Sequence, residues 1–161
     1  MTALDYERML ALPRRKTLEM LDAIEAAGDT AAILGWRPGP GRAHIAWQLM
    51  HIAATDDRHL NVRMRGGAPA EPELVKRFAG GSTPDENVPS IQEIRAYLSS
   101  QREALLGHLR TLSEADFETK PNDQAPWIYR EWFGVLSWHE AHHQGQAHLT
   151  FNLFKELHKA K

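Results

Sequence analysis

Trp138-His139-Glu140-Ala141-His142-His143-Gln144-Gly145-Gln146 is the stretch on which the reading of this chain turns. It holds no proline and lies inside a longer run, Glu131 to Leu157. One face of that run carries Trp132, Leu136, His139, His143, Gln146, Thr150, Leu153 and Leu157. Positions that recur at three and four trace one side of a helix. His139 and His143 are about one helical turn apart, so both imidazoles project from one face and can grip one metal ion. His142 is rotated about 100° from His143 and does not easily join the same ion.

Glu140 completes the pattern H-E-x-x-H, which has a zinc-protease reading. The rest of the sequence argues against it. The extended form of the motif needs glycine and histidine further along, and Gln146 and Leu149 stand there instead. The other form needs a downstream glutamate on a separate helix, whereas Glu156 sits on the continuation of the same helix. Nothing strand-like is present to hold an extended peptide. Glu140 itself points about 100° away from His139, which favours a solvated or ion-paired role over that of a base.

Working outward, three further segments carry helical spacing. The first runs from about Leu4 to Ala27, with Leu10, Leu18, Leu21 and Ile24 inward and Pro13 as a kink or a fresh start. Gly35-Trp36-Arg37-Pro38-Gly39-Pro40-Gly41 is a rigid loop. The second helix spans about Arg42 to Met64 and stops at Gly66-Gly67. Residues 68–89 are rich in Gly, Pro, Ser and Asp and form a long crossover with a short helical turn near Glu73 to Phe78. Ser90-Ile91-Gln92-Glu93 is a capping box that opens the third helix, which continues to about Leu112. The expected fold is therefore all-α: a four-helix bundle with a long crossover between helices 2 and 3, one domain over residues 1–161.

Two histidines on the last helix need a ligand from a facing helix. His51, mid-helix among apolar neighbours, is the best choice, since a buried imidazole without a partner is costly. His44, seven residues earlier on nearly the same face, is the second. Gln146 offers a hydrogen bond to a ligand or a substrate contact, with a buried structural amide as the alternative. Trp47 and Trp138 flank the ligands and either wall a pocket or fill core. Arg58, seven after His51, either anchors an anionic substrate or makes a surface ion pair.

The 161 residues include no cysteine, which removes disulfides, iron–sulfur clusters and a cysteine nucleophile. A net charge of −2 gives no general pull toward nucleic acid or anionic membranes. No stretch approaches the roughly 20 apolar residues of a membrane span, and the N-terminus has no apolar leader, so the expected setting is cytoplasmic.

Taken together, His139-Glu140-Ala141-His142-His143-Gln144-Gly145-Gln146 resembles the H-x-x-x-H-x-G-Q end of the DinB-like (DinB/YfiT) superfamily. The Trp36-x-Pro38 loop followed by the helix with His51 resembles that family's first ligand region. The resemblance covers nearly the whole chain. It implies a four-helix bundle with a three-histidine site on His51, His139 and His143, holding nickel, zinc or a similar divalent ion. It also implies a homodimer acting on a small-molecule substrate. Relatives include thiol-dependent S-transferases and a maleylpyruvate isomerase that use low-molecular-weight thiols, so a metal-dependent transferase or hydrolase is expected. The alternative is a non-catalytic metal-binding or helical interaction module.

Overall fold

Paired side chains set the starts of the long helices. At α1 (Ala3–Ala26), the Thr2 side chain accepts from the Asp5 N–H while Asp5 accepts from the Thr2 N–H. Ser90 and Glu93 do the same at α5 (Ile91–Leu109). Each box satisfies two donors that a helix start would otherwise leave unpaired. α6 (Tyr129–Leu157) opens with the Ile128 N–H on the Glu131 carboxylate. The computed structural model describes residues 1–158 and, among them, contains helices and no strand. The remaining elements are α2 (Thr30–Gly35), α3 (Ile45–Asp57) running into a π-helix (Arg58–Met64), α4 (Pro72–Arg77) and a 3-10 turn (Asp116–Glu118).

The four long helices carry the interior. α3 packs against both α5 and α6, and α1 packs against α6 and more lightly against α5. The apolar core forms two clusters. One gathers Leu21, Ile24, Leu49, Ile52, Ile94, Leu98 and Phe151. The other gathers Tyr6, Leu10, Leu60, Leu105, Phe117, Trp132 and Phe133. Along every long helix a polar residue falls between the two: Arg14 on α1, Asp56 on α3, Arg102 on α5 and Glu140 on α6, all buried. These four form one ion network across the middle of the bundle.

Several local expectations are corrected. α1 runs through Pro13 without a break. Proline cannot donate to the carbonyl four residues back, and here that carbonyl, on Met9, accepts instead from the Ser137 hydroxyl at 3.0 Å. The helix expected from Arg42 begins at Ile45, because the His44 side chain accepts from the Trp47 N–H and caps it. The loop after α1 holds the extra short helix α2, capped by Asp29. Leu18, Leu153 and Leu157 are exposed, not inward. Beyond residue 143 the buried side of α6 keeps Thr150 from the expected stripe but otherwise passes through Ala147 and Phe151, so its face drifts from that stripe.

The crossover between the π-helix and α5 is tied down onto α3. The buried Asp57 carboxylate accepts from the Ala70 N–H at 2.8 Å, the Glu71 N–H at 3.0 Å and the Tyr97 hydroxyl at 3.2 Å. Tyr97, facing that carboxylate out of water, is held well above its usual range. These bonds place Phe78, Gly80 and Ser82 over the middle of α3, where they form one side of the site.

Candidate metal centre

His51, from the middle of α3, meets His139 and His143 from α6. One ring nitrogen of each lies within 4.8 Å of the others. The Nε2 atoms of His51 and His139 are 3.1 Å apart. Two nitrogens sharing an ion at about 2.0–2.1 Å would lie about 2.9–3.4 Å apart for bond angles of 90–110°. The gap between them has room for one proton or one cation.

The surroundings fix which nitrogens are available. His51 Nδ1–H donates to the Phe78 carbonyl at 2.6 Å, which leaves the Nε2 lone pair free. His143 Nδ1–H donates to Gln48 Oε1 at 2.5 Å, with the same consequence. Imidazoles that ligate metals are commonly oriented in this way, by an acceptor on the nitrogen that does not bind. Thr55 Oγ1 lies 3.5 Å from His139 Nε2. The Trp47 indole stacks on His51, with ring centroids 4.8 Å apart, and its Nε1–H donates to Ser82 Oγ. His51 is thus held by a carbonyl on one edge and an indole on one face.

Burial keeps these rings neutral. Desolvation and the neighbouring imidazoles push His139 down to about 3 and His143 down to about 4. His51 is lowered by burial, against the opposing effect of its bond to Phe78. His59, buried beside Arg58 and Arg63, is pushed down to about 4. A neutral imidazole has the lone pair that a divalent ion needs.

A stability profile follows. The folded-state values of His59, His139 and His143 lie below the roughly 6.5 of an unfolded histidine, so as pH falls the unfolded chain takes up protons first. The metal-free protein should therefore be most stable above about pH 6.5 and lose stability down to about pH 4. These histidines are half-buried, so each adds a slope below the roughly 1.4 kcal/mol per pH unit of a group wholly shielded from solvent. Urea midpoints measured from pH 7.5 to 4.5 test this. A flat profile between pH 6.5 and 5 would contradict it.

The remaining expected site residues fall elsewhere. His44 is 1% exposed and commits both ring nitrogens, Nδ1 to the Trp47 N–H and Nε2 to the Asp85 carbonyl at 3.2 Å. It is a helix cap with no lone pair to give. Gln146 is exposed, and its amide meets the Nε2 of His142 at 2.8 Å, because α6 turns that position outward. Gln48, which the sequence reading passed over, takes the place at His143 that Gln146 was expected to fill. Its signal was its spacing, three residues before His51 on one face. Trp138 is 63% exposed and stacks on His142, outside the site.

Glu140 is fully buried. It accepts from Arg14 Nε at 2.7 Å, from Arg102 Nη2 at 2.6 Å and from the Thr17 hydroxyl at 2.9 Å. The solvated role is excluded and the ion-paired one holds. With both oxygens engaged by Arg14, Arg102 and Thr17, about 100° around α6 from His139, Glu140 is not placed to take a proton beside the histidines.

A cleft of about 190 Å3 opens beside His51 and His139. Thr55, Arg58, His59, Val75, Phe78 and Gly80 are among its walls. Arg58 and His59 open the π-helix, a wide-turned form that is rare and often found at functional sites. Among the described residues, no helix is long and apolar enough to cross a membrane.

The cluster is compatible with a divalent metal site: three neutral nitrogen donors from two facing helices, with an open side. The same residues lie inside the region of family similarity. No curated protein matches the chain closely enough to lend it an activity. The sequence signature of the DinB superfamily matches residues 9–147, from the first helix past His139 and His143 of α6, and the chain belongs to that superfamily.

Proposed function

We propose that the chain is a metal-dependent enzyme whose ion is held by His51, His139 and His143. The observation that carries this reading is the convergence of three neutral imidazoles, two with Nδ1 locked to fixed acceptors, beside an open cleft. Three protein nitrogens with an open side are the pattern of a catalytic site; a structural site is closed by four ligands. That openness favours an enzyme over a storage or interaction module.

A divalent ion bound there supplies a Lewis acid that lowers the pKa of water or a thiol. The chain's own residues do the rest. Phe78 and Gln48 fix the imidazole tautomers, Trp47 holds the plane of His51, and the apolar cleft wall limits water. The reaction type that fits is thiol S-transfer or hydrolysis on a small molecule. On the strength of the family resemblance, the same reading extends to nickel or zinc as the ion and a low-molecular-weight thiol as co-substrate. It extends likewise to a homodimer in the cytoplasm and to a single domain over residues 1–161.

The test is metal content by mass spectrometry on untagged protein, followed by turnover with candidate thiols and electrophiles. About one transition metal per chain, with thiol- or water-dependent turnover, is the expected result. Protein that takes up no metal even after reconstitution would sink the reading.

A further inference from the structure

The cleft beside His51 and His139 has an unequal lining. Its polar wall carries one formal charge, the Arg58 guanidinium, and no carboxylate. The nearest acids in sequence, Asp56 and Asp57, are buried and turned to other partners: Asp56 to Arg14 and Arg102, Asp57 to the crossover. Arg58 is exposed and makes no ion pair among the described residues, so its guanidinium is open to a ligand. His59, beside it, has a buried Nδ1 with no hydrogen-bond partner among the described residues. Val75, Phe78 and Gly80, also in the lining, are apolar or bare. A cleft whose lining combines one cation, apolar side chains and imidazole nitrogens suits an amphiphilic anion. Its volume is well below the roughly 300–1,000 Å3 of pockets for drug-sized ligands.

We infer that this cleft binds a short-chain carboxylate, with the carboxylate on Arg58, the aliphatic part along Val75 and Phe78, and the far end at the nitrogens of His51 and His139. The inference names the substrate class for the proposed metal centre and rests on that reading for its catalytic meaning. The binding itself depends on Arg58 and the cleft walls, which are present with or without an ion. Guanidinium pairs carboxylate through two parallel hydrogen bonds, a geometry that a neutral amide does not reproduce.

The experiment is an amide NMR titration of the full-length, metal-free protein with propionate, propionamide and inorganic phosphate. Wild type is compared with Arg58→Gln and Gly80→Val. Gly80 has an ordinary backbone conformation, and a Cβ there would meet only His51 Cε1, at 3.8 Å. A valine should therefore fold and narrow the cleft. Propionate should shift the amides of Arg58, His59 and Gly80, and propionamide should bind far more weakly. Arg58→Gln should weaken propionate by about tenfold or more, the worth of one charge-assisted pair. Gly80→Val should weaken it while leaving the arginine in place. Equal binding by Arg58→Gln and wild type, shifts centred elsewhere, or no binding of propionate would overturn the inference. Phosphate binding as tightly as propionate would also overturn it, because the apolar wall would then contribute nothing. Metal uptake by the same variants after separate reconstitution reports on the metal centre independently, so failure of one reading is not mistaken for failure of the other.

Discussion

Glu140→Ala should destabilise the fold by about 3–5 kcal/mol, the usual cost of removing one partner from a buried ion pair. Glu140 is 0% exposed and accepts from two arginines that are themselves buried. Without it, the Arg14 and Arg102 guanidiniums are left with Asp56 as their only carboxylate. Burial raises Asp56 while the two guanidiniums lower it, so its charge depends on the same network. Glu140→Gln keeps the shape and part of the hydrogen bonding and should cost less. Since whole domains are stable by only about 5–15 kcal/mol, such a loss takes a large share of the total, and the glutamine variant keeps the question answerable if the alanine variant does not fold. Urea unfolding measures both. A protease base would behave in the opposite way, with activity abolished and stability intact. That pattern would refute the structural role assigned to this glutamate.

His51→Ala should abolish stoichiometric metal binding, the largest functional effect expected of any single change in the chain. It removes a nitrogen donor from α3, and among the described residues no other histidine or carboxylate of that helix joins the cluster. The graded neighbours make the result interpretable. Gln48→Leu removes the acceptor that orients His143 and should weaken metal binding by about 10–100-fold, the usual effect of such supporting groups. His44→Ala should leave metal binding intact and cost about 1 kcal/mol of stability, as loss of a helix cap does. His142→Ala, on the exposed side of α6, should change neither. Mass spectrometry of metal content and competition with a chelator read this series. Retention of metal by His51→Ala, or its loss in His44→Ala, would reverse the assignment of the facing ligand.

Much of the bundle was legible because helical spacing is a local property. The Ser90–Glu93 box, the four long amphipathic runs and the crossover before α5 each depend on residues within a few turns of one another. So does the pair His139 and His143. Other features were hidden for specific reasons. His44 and His51 share a face of one helix, and spacing cannot tell a cap from a ligand until the first turn is located. The reading began that helix three residues too early, inside the loop. The π-helix after Asp57 has no sequence signature, and it is this widened turn that opens with Arg58 and His59 at the cleft. Leu153 and Leu157 fit the stripe but lie outward, because the neighbours of α6 change along its length.

By itself, the sequence determined an all-helical chain, its main helices, and the shared face of His139 and His143. Each follows from the angle of a side chain about its own helix axis, and 3.6 residues per turn sets that angle. Only the tertiary structure decided the partners. Glu140 meets Arg14 across 126 residues, His143 meets Gln48 across 95, and His51 meets the Phe78 carbonyl across 27. Periodicity tells which way a side chain points and says nothing of what stands opposite. Whether a glutamate beside two histidines serves as a base or as a buried anion depends on where a neighbouring helix places its arginines.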